Sequence, residues 1–300
     1  MKTLITGGSG LVGSAIDAEV KLSSKDVDLK DWKSTLDIFK KENPDKVIHC
    51  AARVGGLGGN MNHKGEFFYE NIMINTNVLE ACRRVGVKKV VSFLSTCVFP
   101  DDVEYPLTEK KIHMGEPHNS NYPYAYAKRM LDVQSRAYNE QYGTNYVCVI
   151  PTNIYGPNDN FDIQNGHVLP SLIHKCYLAK QNNTDLEVWG SGKPLREFIY
   201  SEDVGKLTEW ALGNYEEEEP IIFSTSNEIS IGNVVEIVVN CIDFKGKVIF
   251  DKEKPDGQFR KPSDNSKLKS YLPDFKFTSI EEGIKKSVEW FMENYRIIRK

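Results

Sequence analysis

The chain has 300 residues, a hydrophobic fraction of 40% and a formal net charge of −4. These values predict a soluble, enzyme-sized unit with a sizeable core, either one large domain or a main domain with a smaller partner. The slight negative charge gives no sign of a nucleic-acid surface, so any anion site must be a local basic cluster. No apolar run approaches the roughly 20 residues of a membrane helix.

Cysteine spacing and the first residues indicate a cellular compartment. The six cysteines are scattered and show no C-x-x-C spacing, which predicts reduced thiols rather than a disulfide framework or a zinc site. The first residues run directly into a strand pattern and leave no room for a signal peptide. We therefore expect a cytoplasmic protein without a metal site.

A strand, a glycine turn and a helix are predicted at the start of the chain. Residues 3–6, Thr-Leu-Ile-Thr, are predicted to form a strand with an apolar centre, and glycines at positions 7, 10 and 13 follow them. This spacing lets the backbone approach a pyrophosphate at a helix N-terminus, where free N–H groups and the helix dipole favour anions. A glycine turn alone is weak evidence, but between a strand and a helix it is strong. The predicted cofactor residues here are Gly7, Gly8, Ser9, Gly10, Leu11, Val12 and Gly13.

The residues after the second strand bear on the choice of cofactor. NAD enzymes place an acidic residue about 20 positions after the glycines, where it binds the ribose hydroxyls. Here Ser23, Ser24 and Lys25 stand at about that point. Hydroxyls and a cation suit a 2′-phosphate, so we expect NADP(H), although Asp26 keeps NAD open. Asp28 either meets the adenine amine or caps the following helix.

Strands and helices alternate through the first half of the chain. Predicted helices cover residues 14–18, 30–42 and 66–85; predicted strands cover residues 19–22, 46–52 and 89–94; a flexible loop covers residues 53–60. This alternation implies a parallel sheet with helices on both faces and ligands at the carboxyl ends of the strands. Gly7, Ala51 and Ser95 all fall at such ends.

Three side chains near the fourth strand predict proton transfer to a carbonyl oxygen. Tyr124 and Lys128 are four residues apart on a helix that opens at Tyr122, so they share one face. A Lys ammonium beside a phenol lowers a pKa that starts near ~10. Such a tyrosine can give a proton to a carbonyl oxygen as hydride reaches its carbon, while Ser95 holds the same oxygen. The Tyr-x-x-x-Lys spacing is common in helices and is weak evidence by itself. Its occurrence together with Ser95 and the glycine turn predicts a catalytic role.

The second half of the chain predicts a return to the main sheet and a smaller domain. Predicted helices cover residues 124–142, 167–180, 201–213, 230–241 and 279–295; predicted strands cover residues 146–150, 186–192, 196–200, 221–223 and 247–250. We expect a nucleotide-binding main domain over residues 1–165 and about 201–226. The smaller domain would take residues of about 166–200 and 227–300.

With these elements placed, the chain resembles the extended short-chain dehydrogenases/reductases. Among them it is most similar to the epimerase-reductases that turn GDP-4-keto-6-deoxymannose into GDP-L-fucose. The resemblance covers essentially the full length and implies a Rossmann-type, doubly wound parallel sheet with a smaller α/β substrate-binding domain. It is carried by Thr6–Gly13, Val54–Gly56, Ser95–Pro100, Tyr124–Lys128, Pro151–Asn153, Gly156–Phe161, His167–Pro170, Val188–Gly190 and Pro255–Gly257.

The resemblance also implies a division of catalytic labour. In that family a ketone at C4 acidifies the protons on C3 and C5, so one site epimerises both carbons before NADPH-dependent reduction at C4. The acid and base for epimerisation would be Cys97 and His167, whose ordinary pKa values of about 8.5 and 6.5 suit proton exchange near neutrality. Ser95, Tyr124 and Lys128 carry over as the reductase set, and Lys128 would also bind the nicotinamide ribose.

Binding residues and partners follow from the same resemblance. Further contacts to NADP(H) would come from Ser24, Lys25, Asp28, Ala51, Leu94, Ser95, Tyr124, Lys128, Pro151, Asn153, Ile154 and His167. Contacts to the GDP-sugar would come from Lys175, Trp189, Arg196, Asp256 and Lys261. Several cations around a GDP pyrophosphate make physical sense. Helices 66–85 and 124–142 resemble a four-helix dimer face, so a homodimer is expected, and no nucleic-acid or membrane partner.

Other interpretations stay open at this point. A nucleotide-sugar 4,6-dehydratase would show an Asp-Glu pair where this chain has Cys97-Val98. A 4-epimerase holds NAD tightly and has no need of Cys97 and His167, and a cofactor-binding regulator would usually lose Tyr124 or Lys128. The chain departs from the family mainly between residues 13 and 28, where the first helix and second strand are shortened; this bears on the adenine-side contacts.

Overall fold

The computed structural model describes residues 1–254, 256 and 258–300, apart from the side chain of residue 57. Pro255 and Gly257 of the Pro-Asp-Gly motif lie outside the described residues. The strands are β1 (Thr3–Thr6), β2 (Val20–Leu22), β3 (Lys46–His49), β4 (Lys89–Phe93), β5 (Asn145–Pro151), β6 (Asn153–Tyr155), β7 (Leu186–Trp189), β8 (Leu195–Tyr200), β9 (Ile221–Phe223), β10 (Glu228–Ser230) and β11 (Val248–Asp251). The helices are α1 (Trp32–Glu42), α2 (Leu57–Asn62), α3 (Lys64–Val85), α4 (Tyr122–Tyr142), α5 (Val168–Asn182), α6 (Ser201–Asn214), α7 (Ile231–Ile242), α8 (Ser266–Tyr271) and α9 (Ile280–Asn294).

The main sheet is parallel and is covered by helices on both faces. Its strand order is β2-β1-β3-β4-β5-β9. Side chains of α1, α3 and α4 pack on one face with Val47 and Val90, and side chains of α6 and α8 pack on the other with Ile48 and Val91. Strands buried on both faces are apolar throughout, which is why β3 to β5 stand out in the sequence. The predicted α/β fold class is confirmed.

A second apolar core surrounds the smaller sheets. One has the order β10-β8-β6 and the other pairs β11 with β7. Side chains from α5, α7 and α9 fill this core together with Tyr155, Phe161 and Tyr200. Two segments pack with the other predicted domain. β6 was assigned to the main domain but belongs to a smaller sheet, and α8 was assigned to the smaller domain but its Leu268 packs on the main sheet.

The first predicted helix is replaced by a single 3-10 turn. This turn covers Gly13–Ala15, and Ile16 is already extended with φ −119° and ψ 134°. Few residues separate Gly13 from β2, and α6 occupies the adjoining space, since a Cβ on Gly205 would meet the carbonyl of Ala15. The prediction of a helix over residues 14–18 is therefore wrong.

Other local differences have simple physical causes. The cap of α1 is Asp31, whose side chain accepts from the Ser34 N–H, so the proposed cap at Asp28 is wrong. The predicted loop 53–60 contains the start of α2, which has no side-chain cap and two glycines that hide its helical pattern. The short elements β6, β10 and α8 were not predicted, because three to six residues carry too little periodicity. Within the described part of the chain, no helix is long and apolar enough to cross a membrane.

Candidate active site

A cavity of about 650 Å³ opens at the carboxyl ends of β1, β3, β4 and β5. This edge is where an open parallel sheet places its ligands. The predicted cofactor residues that line the cavity are Gly7, Ser9, Gly10, Leu11, Val12, Gly13, Ser24, Asp28, Ala51, Leu94, Ser95, Tyr124, Lys128, Pro151, Asn153, Ile154 and His167. Gly8 and Lys25 are absent from the lining. The N–H of Gly8 donates to the Leu22 carbonyl at 2.8 Å, so Gly8 supports β2 instead, and Lys25 is exposed to solvent.

The glycine turn brings backbone close to the cavity. Gly7 has φ +73°, and a Cβ there would lie 2.8 Å from the Ala51 nitrogen, so only glycine fits. A Cβ on Gly13 would lie 2.7 Å from the Gly8 Cα. In the described residues, the N–H groups of Leu11 and Val12 have no acceptor. Free N–H groups on a tight turn are suited to hold an anion.

The end of β2 forms the opposite part of the cavity. Ser23 donates through its N–H and its Oγ to Asp26 Oδ2 at 2.7 and 2.6 Å, and these bonds lower the pKa of Asp26. The Asp26 carboxylate is thus occupied and is absent from the cavity lining. Ser24 and Lys30 do line the cavity, which leaves a hydroxyl and an ammonium at this end.

Ser95, Tyr124 and Lys128 meet at the end of β4. Ser95 begins a 3-10 turn, and its Oγ accepts from the Cys97 N–H at 3.4 Å. Lys128 Nζ lies 5.9 Å from the Tyr124 ring centroid and donates to the Phe93 carbonyl at 2.8 Å. That bond fixes the ammonium between strand and helix.

The proton affinities of this group differ from the sequence-based expectation. Burial raises the pKa of Tyr124 well above its ordinary value, and the nearby Cys97 thiol adds to the increase. Burial also lowers the pKa of Lys128 to about 8. The prediction that Lys128 lowers the pKa of Tyr124 is wrong for this structure, because burial dominates and the charged group that acts on the phenol is Cys97. A phenol that keeps its proton is suited to act as a proton donor.

The two residues predicted for epimerisation differ in their access to the cavity, since His167 lines it and Cys97 does not. Cys97 is half-buried. Burial raises the pKa of its thiol, while Ser95, Lys261, Lys128 and Arg129 act in the opposite direction. His167 lines the cavity directly before α5, and desolvation lowers its pKa, so the imidazole is neutral at pH 7.

The predicted sugar-nucleotide residues lie outside the 650 Å³ cavity. Lys175 Nζ stands 4.5 Å from the ring centroid of Trp189, and that ring is 47% exposed. Burial lowers the pKa of Lys261, and the charged groups near enough to act on its ammonium are Cys97, Asp101 and Arg196.

Arg196 and Asp256 already have protein partners. Arg196 Nη1 donates to the Leu195 carbonyl at 2.7 Å, and burial lowers its pKa. Asp256 accepts from the N–H and the Oγ of Ser191 at 2.6 and 2.8 Å. Its carboxylate therefore holds the turn after β7.

No role was predicted from the sequence for Asp159 and Arg299, which line the cavity together with Thr152 of the predicted contact segment 151–154. Asp159 is 4% exposed, burial raises its pKa to about 7, and its Oδ2 has no hydrogen-bond partner among the described residues. Thr152 is also buried, and its Oγ1 likewise has no described partner. Arg299 reaches the same cavity from residues far along the chain. Asp159 belongs to the motif Gly156–Phe161, which is among the motifs noted in the sequence. By contrast, nothing in the sequence indicates that Arg299 lies near the glycine turn.

The parallel sheet, glycine turn and Ser-Tyr-Lys group define a nucleotide-dependent enzyme of the short-chain dehydrogenase type. A model of the NAD dependent epimerase/dehydratase family matches residues 3–225. The chain belongs to this family and, within it, to the GDP-L-fucose synthase group. The family resemblance inferred from the sequence is confirmed.

Similar proteins cover the whole chain. A GDP-L-fucose synthase of Dictyostelium discoideum is 54% identical over 99% of this chain and 97% of its own. A probable GDP-L-fucose synthase of Drosophila melanogaster is 45% identical over 100% and 99%. The crystal structure of a GDP-L-fucose synthetase from Naegleria fowleri bound to NADP has a TM-score of 0.95 and 48% identity, and covers 99% of this chain and 94% of that one.

Proposed function

We propose that the chain catalyses 3,5-epimerisation of GDP-4-keto-6-deoxymannose and its NADPH-dependent reduction at C4, giving GDP-L-fucose. The carrying observation is that Ser95, Tyr124, Lys128 and His167 line one cavity, while the Cys97 thiol, outside the lining, is close enough to Tyr124 and Lys128 to affect their pKa values. Ser95, Tyr124 and Lys128 form a first set of proton-handling groups, and Cys97 and His167 form the second. A simple 4-epimerase or 4-reductase needs only the first set. Identity to named GDP-L-fucose synthases over the full length supports the same assignment.

Epimerisation requires a base and an acid beside C3 and C5. A thiolate at Cys97 would take the carbon-bound proton, and the electron pair would move to the ketone oxygen at C4. Ser95 and Tyr124 would stabilise that oxygen by hydrogen bonds. Return of a proton to the opposite face of the ring completes the inversion. We assign that step to His167, which is neutral at rest and would first take up a proton from solvent and then pass it to the carbon. Lys261, whose charge acts on Cys97, favours the thiolate.

Reduction uses the other set of groups. The bound cofactor supplies hydride to C4. Tyr124 Oη gives its proton to O4, and Ser95 keeps the oxygen in place. Lys128 is positioned to bind the nicotinamide ribose from the floor of the cavity, since its Nζ is already fixed by the Phe93 carbonyl.

The cavity fits a phosphorylated dinucleotide. Free N–H groups at Leu11 and Val12 suit a pyrophosphate. At the other end Ser24 and Lys30 suit a 2′-phosphate better than a bare diol. We therefore assign NADP(H) as cofactor and place the GDP group on Lys175, Trp189, Arg196, Asp256 and Lys261 of the smaller unit.

A homodimer is the assembly that we propose. Phe68 on α3 is 43% exposed, and Met130 and Val133 on α4 are 37% and 45% exposed. These apolar side chains belong to the two helices that resemble a dimer face, and burying them against a second copy would be favourable. A Val133→Glu variant that stays dimeric in light scattering would contradict this assembly. A cytoplasmic location stays a prediction from the sequence.

Two variants test whether the two chemistries use separate groups. Cys97→Ser keeps the shape of the side chain, but a serine hydroxyl does not ionise near neutral pH. Exchange of the carbon-bound protons at C3 and C5 with D₂O should therefore slow severely. Tyr124→Phe should lower NADPH oxidation by about 10²- to 10⁴-fold. It should leave exchange measurable, because Ser95 still polarises the ketone. Exchange at the wild-type rate in Cys97→Ser would remove Cys97 from the mechanism.

A further inference from the structure

The connection after the glycine turn lacks the helix that normally faces a bound pyrophosphate. A full helix contributes a partial positive charge at its N-terminus, because its peptide dipoles are aligned. Here the 3-10 turn Gly13–Ala15 has three residues, and the chain is extended again at Ile16. Because so short a segment aligns only a few peptide dipoles, its partial positive charge is small. The free N–H groups of the turn remain, but much of the helix field is missing, and another positive charge is needed at this position.

Among the residues that the structure describes, four cationic side chains line the cavity, and three of them already have a partner or another assigned role. Lys30, which we assign to the 2′-phosphate at the other end of the cavity, also lies 3.6 Å from Glu70, and Arg53 pairs with Glu66 at 2.9 Å. Lys128 is buried at the nicotinamide end and donates to a carbonyl. Arg299 is the remaining cation, and among the residues that the structure describes no carboxylate lies within ion-pair distance of it.

Arg299 is held beside the glycine turn by its own backbone. Its carbonyl accepts from the Phe161 N–H at 3.0 Å, and it forms a parallel bridge with Asn160. Its Nη2 donates to the Asn158 carbonyl at 2.6 Å. Asn158 Nδ2 in turn donates to Ser14 Oγ at 3.2 Å, which joins this segment to the end of the turn. One guanidinium edge is therefore fixed, and the other N–H donors stay available to a ligand.

A buried carboxyl group lies in the same cavity as Arg299. Asp159 lines the same cavity, and its Oδ2 has no partner in the described parts of the chain. The field of Arg299 acts on this carboxyl, although the two do not form an ion pair. Arg299 acts to lower the pKa of this carboxyl, so the two groups are electrostatically coupled.

We propose that Arg299 binds the cofactor pyrophosphate and supplies the charge that the missing helix does not. The planar guanidinium forms paired hydrogen bonds to phosphate oxygens, which lysine cannot reproduce. The inference rests on the proposed function only for the identity of the dinucleotide. It requires nothing of the sugar substrate.

The test compares a ligand that has the pyrophosphate with one that lacks it. Dissociation constants of NADPH and adenosine 2′-monophosphate are measured by calorimetry for wild type, Arg299→Gln, Arg299→Lys and the control Arg296→Gln. Arg296 is exposed on the same segment and absent from the cavity lining. Arg299→Gln should weaken NADPH about 10- to 100-fold, as expected for a charge-assisted bond. Adenosine 2′-monophosphate should change less than twofold, Arg299→Lys should be intermediate, and Arg296→Gln should match wild type.

Two results would overturn the inference. One is an NADPH affinity within twofold of wild type in Arg299→Gln. The other is an equal loss for both ligands, which would show that the change disturbs the cavity as a whole. Phenylglyoxal labelling of wild type needs no variant: NADPH should protect Arg299 from modification, and adenosine 2′-monophosphate should not. Equal labelling in the presence of saturating NADPH contradicts contact. If these results hold but the sugar nucleotide is not turned over, the proposed function fails and the role of Arg299 stands.

Discussion

Replacing Lys128 by methionine should stabilise the protein while removing its reductase activity. Lys128 is 2% exposed, and in the described residues no carboxylate pairs with it. Burial lowers its pKa from 10.5 to about 8. A difference of that size corresponds to about 3 kcal/mol of folding free energy lost at neutral pH. Methionine keeps the apolar stem but leaves the Phe93 carbonyl without a donor, which costs about 1 kcal/mol. The net gain at pH 7 is about 2 kcal/mol.

The gain should depend on pH in a defined direction. Between about pH 8 and 10.5 the unfolded lysine still holds a proton that the folded one has released. The unfolded state then binds more protons, so the contribution of Lys128 to wild-type stability rises across this window. At pH 10 most of the ionic cost has disappeared. The two proteins should then agree to within about 0.5 kcal/mol.

Urea unfolding at pH 7 and pH 10, followed by tryptophan fluorescence, measures both differences. Lys89→Met is a matched control, because burial also lowers the pKa of Lys89 to about 8, and its Nζ donates to Asn145 at 2.9 Å and to the Tyr215 carbonyl. Its pH dependence should have the same sign, while NADPH oxidation should survive. A Lys128→Met variant that is less stable than wild type at pH 7, or a gap that is equal at both pH values, would refute the reasoning.

Three further substitutions test the binding assignments. Gly13→Ala puts a Cβ against the Gly7 carbonyl and 2.7 Å from the Gly8 Cα, so the glycine turn must open. NADPH should then bind at least about tenfold more weakly in a fluorescence titration. An unchanged affinity would mean that the cofactor does not bind at this turn. Arg196→Ala should raise KM for the GDP-sugar about tenfold or more with a smaller effect on kcat, and a KM within about twofold makes Arg196 structural. Ser24→Asp should lower the kcat/KM preference for NADPH over NADH about tenfold, since a carboxylate repels a 2′-phosphate. An unaltered preference would show that Ser24 does not contact this phosphate.

The sequence predicts the sheet well because each of its strands is a short apolar run followed by small or polar residues. Ile48, Val91 and Val149 are all buried inside the main sheet, and their neighbours carry the same pattern. The short elements were missed for the opposite reason. β6 follows β5 after one residue, Thr152, and the pair presents one continuous extended pattern whose division between two sheets is a tertiary effect.

The predictability of the site residues also depends on whether their contacts are local or distant in sequence. Tyr124 and Lys128 are four apart, so helical geometry alone predicts their shared face. The proton affinity of Tyr124 was not predictable, because it depends on how fully α4 and β4 exclude water. Arg299 meets Asn158 across 141 positions of sequence, and no local motif records such a contact.

Deuterium content of the product is the most direct measure of a combined epimerase and reductase. Wild-type protein is incubated in D₂O with NADPH and GDP-4-keto-6-deoxymannose, and the product is examined by mass spectrometry and NMR beside the loss of absorbance at 340 nm. We predict GDP-L-fucose with one carbon-bound deuteron at C3 and one at C5, and one NADPH consumed per product formed. A reduced sugar without deuterium at either carbon would show a plain 4-reductase, and it would contradict the assignment of Cys97 and His167 to the same catalytic cycle as Tyr124.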